Sequence, residues 1–218
     1  MPEYQYTIID NSVKAIYPER ELTVYDFGVW EKEKVTRYRA LLAMKKDMEY
    51  AEAYLNQMFF DDNTSLIDGA LINSSIQLLV KCFSNPSGRG RPNLDFKKVF
   101  CTFTKSIGEE DMTKQFSQFY DARNKIISHD QLDYTENIIG VTVNQASGQA
   151  EDVAELTIRT AYLYKQNQII LLRLVHIVLR YLECQIESIK GFLIEEYNRE
   201  KPELKAIICE NIPMATAW

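Results

Sequence analysis

Three polar side chains near the middle of the chain, those of Arg123, Asn124 and His129, are suited to chemistry on a phosphate group. The planar guanidinium of an arginine presents a fixed fork of N–H donors that matches phosphate oxygens. An imidazole exchanges protons near neutral pH, and His129 is one of only 2 histidines in the 218 residues. These residue types favour anion binding coupled to proton transfer.

The helix expected to carry this cluster gives Arg123 an unusual position. At about 100° of rotation per residue, Arg123 and the apolar side chains of that helix all fall within roughly 60° of one direction. Those side chains are Phe116, Phe119, Tyr120, Ile126 and Ile127. A guanidinium on such a stripe needs a partner, because an unpaired buried charge is costly. His129 lies about 120° away if the helix continues, so a shared site requires the helix to end or a second subunit to contribute.

A purely architectural interpretation competes with the catalytic one. Asp130 lies seven residues after Arg123 and would share its face of the helix. An arginine held by this carboxylate, with His129 as a capping residue, would need no function beyond stabilising the fold. On residue spacing alone this interpretation is favoured, since single short motifs often match by chance.

The run from Asp121 to Asp130, DARNKIISHD, resembles the signature of the HEPN superfamily. In that signature an arginine, often followed by Asn or Asp, precedes a histidine by four to six intervening residues, and here five intervene. The run is also similar to that of abortive-infection proteins. The resemblance extends over about residues 33 to 200 as a pattern of helices and is specific only at the motif.

This resemblance implies a mainly α fold, an antiparallel HEPN-like helical bundle with a small β-hairpin insertion. It also implies a metal-independent endoribonuclease of the toxin or antiviral-defence type, which needs no cofactor and forms its site between two subunits of a homodimer. Arg123 would bind phosphate, Asn124 would position groups, and His129 would act as general acid and base. The alternative is a non-catalytic HEPN-like module that binds RNA, a nucleotide or a protein.

The expected partners are RNA, a second copy of the chain and an antitoxin or regulatory protein. We expect four further residues to contact RNA: Lys125, Asp130, Arg89 and Arg91.

One departure from the family pattern concerns regulation. HEPN toxins silenced by a nucleotidyltransferase often carry a Tyr two residues after the histidine, whereas position 131 is Gln and the next tyrosine is Tyr134. Regulation by tyrosine modification is therefore doubtful.

Two other basic segments allow more than one interpretation. Residues 89 to 92, RGRP, match the core of an AT-hook, a minor-groove binder. The match is short and the chain is acidic, so a solvated loop is favoured, and a loop beside an RNA groove is more plausible than a minor-groove arm. Arg173, His176 and Arg180 share one side of the last helix. They could line an RNA channel or a dimer seam, although a polar edge facing water, joined by Glu183 and Glu187, is favoured.

The elements that must position these residues follow from apolar periodicity and helix breakers. A first amphipathic helix carries Tyr38, Leu41, Leu42, Met48, Ala51, Leu55, Met58 and Phe59 on one face. Helices are predicted at about residues 31–60, 65–83, 94–103, 111–128 and 164–200. A strand is predicted at 4–9 and a loop at 85–93. A hairpin is predicted at 137–158, with its turn at Ser147-Gly148. We expect an N-terminal extension at 1–30, a helical domain at 31–200 and a C-terminal tail at 201–218.

Composition narrows the class of protein. The net charge of -6 disfavours nucleic-acid binding over the whole surface. The 4 cysteines are widely spaced, which favours buried free thiols over disulfides or a zinc site. The chain shows neither a signal peptide nor a span of about 20 apolar residues. We therefore expect a cytoplasmic protein without membrane contact and without a metal.

Overall fold

The computed structural model of the chain is mainly helical, as the sequence predicts. It describes residues 5–9, 12–17, 20–58, 66–84, 93–124, 135–143, 149–159 and 165–206. The helices are α1 Lys32–Asn56, α2 Leu66–Lys81, the π-helix π1 Lys98–Phe103, α3 Thr104–Ser106, α4 Thr113–Ala122 and α5 Lys165–Glu200. Within the described ranges no helix is long and apolar enough to cross a membrane.

Seven short strands accompany these helices in the described ranges. They are β1 Gln5–Ile9, β2 Ser12–Tyr17, β3 Arg20–Thr23, β4 Tyr25–Asp26, β5 Thr135–Val143, β6 Ala150–Arg159 and β7 Lys205–Ala206. An antiparallel sheet in the order β1-β2-β3 contains the strand predicted at residues 4–9, but β2, β3 and β4 were not predicted. Antiparallel β5 and β6 confirm the predicted hairpin, with a register shift between Thr142 and Val143. Its predicted turn at Ser147-Gly148 lies outside the described residues.

The chain divides into two compact units whose boundaries fall inside α1 and α5. The terminal unit comprises Met1–Arg39 and Glu187–Trp218, and the central unit comprises Ala40–Ile186. In the terminal unit, β4 pairs antiparallel with β7, joining residues some 180 positions apart in the sequence. In the central unit, α4 contacts both α2 and π1.

Apolar side chains at spacings of three and four form the core of the central unit, because that spacing places them on one face of each helix. The fully buried members from α1, α2 and α5 include Leu41, Met44, Met48, Ala51, Leu55, Ile72, Ile76, Leu79, Leu171, Leu174, Val178 and Leu182. The apolar face predicted for α1 needs one correction. Leu42 is 43% exposed, whereas Met44, two residues later, is fully buried. The buried stripe follows positions 41, 44, 48, 51 and 55, and Leu42 lies about 100° from it.

A cluster of aromatic rings holds α4 in the central unit. Phe116 of α4 lies at ring-centroid distances of 4.6 Å from Phe83, 4.7 Å from Phe100, 5.9 Å from Phe96 and 6.0 Å from Tyr120. The backbone N–H of Met112, just before α4, also donates to the carbonyl of Phe100 over 2.9 Å. The cluster therefore fixes α4 against π1 and the end of α2.

The described cysteines are free thiols with different degrees of burial. Cys82 is buried, Cys101 is half-buried and Cys184 is exposed on α5. The prediction of buried thiols is thus wrong for Cys184, whose position falls on the solvent side of the helix. Cys209 lies outside the described residues.

Candidate functional site

Helix α4, which carries the candidate site, begins at a carboxylate. Asp111 Oδ1 accepts a hydrogen bond of 2.9 Å from the backbone N–H of Thr113, the first residue of α4. Hydrogen bonding to the Cys101 thiol and to Thr113 lowers the pKa of Asp111 from 3.8 to about 2. The negative charge also suits the positive end of the helix dipole.

This lowered pKa predicts the pH dependence of an Asp111→Asn variant. Because the carboxylate has a lower pKa in the folded chain, its stabilising effect is present above pH 3.8 and is lost as the pH falls towards about 2. We expect the variant to unfold about 2 °C below the parent chain at pH 6 and to converge with it near pH 2. Thermal unfolding followed by circular dichroism at several pH values measures this difference. Asp121→Asn, at an exposed position on the same helix, is the control. If the difference in unfolding midpoint between Asp111→Asn and the parent chain is the same across this pH range, the stabilising effect of the ionised Asp111 carboxylate is contradicted.

The buried face of α4 leads directly to the candidate site. Phe116 and Phe119 of the predicted apolar stripe are buried, Tyr120 is half-buried, and Ala122, which was not in the predicted stripe, is buried as well. Arg123 follows with helical backbone angles, and its N–H bonds to the carbonyls of Phe119 and Tyr120. The helical backbone continues through Asn124 in π geometry. Arg123 therefore lies on an ordered helical turn rather than in a loop.

The side chains of Arg123 and Asn124 form a pair at the end of α4. Arg123 Nη1 donates to Asn124 Oδ1 over 3.0 Å, and both side chains are half-buried. A guanidinium carries five N–H donors, and the bond to Asn124 is the one that the described residues engage. Among the described residues no carboxylate forms an ion pair with Arg123.

The other residues predicted for this site lie outside the described part of the chain. They are His129, Lys125, Asp130, Arg89 and Arg91. The structure thus places two of the three predicted catalytic residues, Arg123 and Asn124, together. The pairing of Arg123 with Asp130, the architectural alternative, also lies outside the described residues.

A second polar cluster, here called the α5 groove, lies in the central unit. The groove has a volume of about 630 Å³ and is lined by Glu109, Arg173, His176, Ile177, Leu179, Arg180 and Glu183. The two oxygens of the Glu109 carboxylate each contact a different guanidinium, at 2.9 Å from Arg180 Nη1 and 3.5 Å from Arg173 Nε. Arg173 Nη1 also lies 2.6 Å from Glu110 Oε1.

These contacts decide between the interpretations of Arg173, His176 and Arg180. Each of the three is paired with a carboxylate, and His176 Nε2 lies 2.7 Å from Glu52 Oε1 on α1. The cationic charge is therefore offset within the groove, which fits a solvated polar edge better than an open channel for RNA. Sequence reasoning missed Glu52, Glu109 and Glu110 as partners because each lies more than sixty residues from the α5 residue that it contacts. In the described part of the chain, no three His, Cys, Asp or Glu side chains are grouped to hold a metal ion.

The chain matches none of the protein-family models, curated proteins or solved structures with which it was compared.

Proposed function

We propose that the chain is a HEPN-type endoribonuclease that cuts RNA without a metal ion, at a site shared by the two subunits of a homodimer. The observation that carries this proposal is the half-buried pair of Arg123 and Asn124 at the end of α4. It places a guanidinium, bonded to a neutral amide rather than to a described carboxylate, at the motif that resembles the HEPN signature. The fold that would hold it is an antiparallel bundle of α1, α2, α4 and α5.

The proposed reaction uses the 2′-hydroxyl of the RNA itself. The 2′-oxygen attacks the adjacent phosphorus, the bond from phosphorus to the 5′-oxygen breaks, and a 2′,3′-cyclic phosphate and a 5′-hydroxyl result. One proton must leave the 2′-hydroxyl and one must reach the 5′-oxygen. His129 from each of the two subunits would supply the base and the acid.

Arg123 and Asn124 have separate roles in this scheme. Negative charge increases on the non-bridging phosphate oxygens as the fifth bond to phosphorus forms, and the free donors of Arg123 stabilise that charge. Asn124 positions the guanidinium through its Oδ1 atom. Because the arginine supplies this stabilisation, the scheme needs no metal. Lys125, Asp130, Arg89 and Arg91 would contact flanking parts of the RNA.

The proposal places the protein in antiviral defence or a toxin system inside the cell, with an antitoxin or regulatory protein as its partner. The support for this context is the same resemblance of residues 121 to 130. A ribonuclease of this kind requires control, because uncontrolled cleavage of RNA harms the cell that makes it.

Cleavage in the absence of metal tests the proposed function. We expect the purified chain to cut single-stranded RNA in excess EDTA, leaving 2′,3′-cyclic phosphate and 5′-hydroxyl ends. Labelled RNA, resolved on a denaturing gel and treated with a phosphatase or a 5′-kinase, identifies these ends. Cleavage that EDTA abolishes, or products with 5′-phosphates, would contradict the mechanism. Tight RNA binding with no cleavage would instead favour the non-catalytic binding module.

A further inference from the structure

The terminal unit contains a cavity of about 470 Å³ that the proposed function does not use. Its walls come from β3, β4, the start of α1 and the last turns of α5. Four aromatic rings line it, those of Tyr25, Phe27, Tyr38 and Tyr197. A cavity of this volume with largely apolar and aromatic walls is typical of sites for small molecules.

Several of the apolar wall residues remain in contact with solvent. Leu22 is 44% exposed, Tyr25 is 47% exposed and Ile194 is 54% exposed. Apolar surface grouped around a concave site gains free energy when a ligand removes it from water. The walls therefore favour a ligand with a substantial apolar body.

The aromatic wall is held in place by contacts behind it. The Trp30 ring stacks on Phe27 at 5.6 Å and meets Tyr197 edge-on at 6.3 Å. The Trp30 indole N–H donates to Glu200 Oε2 over 3.1 Å. This bond, together with Arg199, lowers the pKa of Glu200 and keeps the carboxylate ionised as an acceptor. A wall fixed in this way loses little entropy when a planar ring packs against it.

Lys190 is the only charged side chain among the described residues that line the cavity. Its Nζ lies 3.7 Å from Glu187 Oε1, and both side chains are more than 40% exposed. An exposed pair of this kind is weak, so an anionic ligand group can compete with Glu187 for the Lys190 ammonium. Because Lys190 supplies the charge at the described lining, an acidic ligand group is favoured there over a basic one.

We propose that this cavity binds a planar aromatic anion, with the ring system between the aromatic walls and the acidic group at Lys190. Neither Arg123 nor Asn124 lines this cavity. The proposal of ligand binding can therefore be tested independently of the ribonuclease proposal.

Two related probes test the site: 1-anilinonaphthalene-8-sulfonate, which is a planar aromatic anion, and N-phenyl-1-naphthylamine, which has the same ring system without the sulfonate. We expect saturable binding of the anion at one site per chain, measured by fluorescence titration. Ile194→Asp should weaken binding of both probes about tenfold, because it puts a charge into the apolar wall. Lys190→Gln should weaken binding of the anion about threefold and leave the neutral probe unchanged.

Ile169→Asp is the matched control, since Ile169 is a 58% exposed isoleucine on the same helix but outside the cavity. It should bind both probes as the parent chain does. Circular dichroism of each variant shows whether the fold is retained, because loosely packed states also bind this anion. The proposal is overturned if no saturable site exists, if both isoleucine variants weaken binding equally, or if Lys190→Gln affects the two probes alike.

Discussion

Replacing Arg123 with methionine should reduce RNA cleavage about a thousandfold, the effect of removing a donor that stabilises transition-state charge. The variant should fold normally, because the side chain is only half-buried and methionine keeps much of its apolar stem. Arg123→Lys should recover little activity, since an ammonium lacks the planar fork that can hold Asn124 and a phosphate together. Initial rates of cleavage, beside a thermal unfolding curve for each variant, measure the effect.

Arg173→Met is the matched control for this substitution. Arg173 is also an arginine of the central unit, but it pairs with Glu109 and Glu110 in the α5 groove. We expect its loss to leave cleavage within about twofold of the parent chain, because an exposed ion pair contributes little. If the two variants lose RNA cleavage equally, Arg123 affects cleavage only through the net charge or the stability of the chain, and not by binding the phosphate.

Replacing Phe116 with alanine should have the largest effect on stability among the described residues of α4. Phe116 is 2% exposed and lies within 6.0 Å of four other rings. Truncation of such a side chain leaves a cavity and costs about 3 to 5 kcal/mol. For a chain of this size the unfolding midpoint should fall by about 10 °C. Chemical denaturation monitored by circular dichroism gives the free energy of unfolding.

Phe116→Leu provides the comparison at the same position. Leucine refills much of the space without restoring the ring contacts, so we expect about half the loss seen with alanine. If Phe116→Ala costs less than about 1 kcal/mol, the aromatic cluster does not hold α4 and the position of Arg123 needs another explanation.

Periodicity predicted the long helices well, because α1, α2 and α5 bury one repeating face along many turns. The same method missed β4, which has only two residues and forms because β7, far along the chain, supplies its hydrogen bonds. It also placed Leu42 on the buried face of α1, although this residue is exposed. The first error arises because a distant partner forms the strand, and the second because Leu42 lies about 100° from the buried stripe of its own helix.

For the candidate site, too, the sequence predicted some features and missed others. The sequence identified Arg123 as a residue in need of a partner, and the structure pairs it with its neighbour Asn124. The partners of Arg173, His176 and Arg180 could not be found from spacing along α5, because they come from α1 and from the segment before α4. The carboxylates of Glu109 and Glu110, just before α4, bind arginines of α5.

The most direct test of the ribonuclease proposal compares the rates at which alanine variants of the two histidines cleave RNA in EDTA. His129→Ala should lose cleavage of single-stranded RNA about a thousandfold, because the acid and base are removed. His176→Ala, which removes an exposed histidine paired with Glu52, should cut RNA at the rate of the parent chain. Cleavage by His129→Ala at the same rate as by His176→Ala would contradict the proposal.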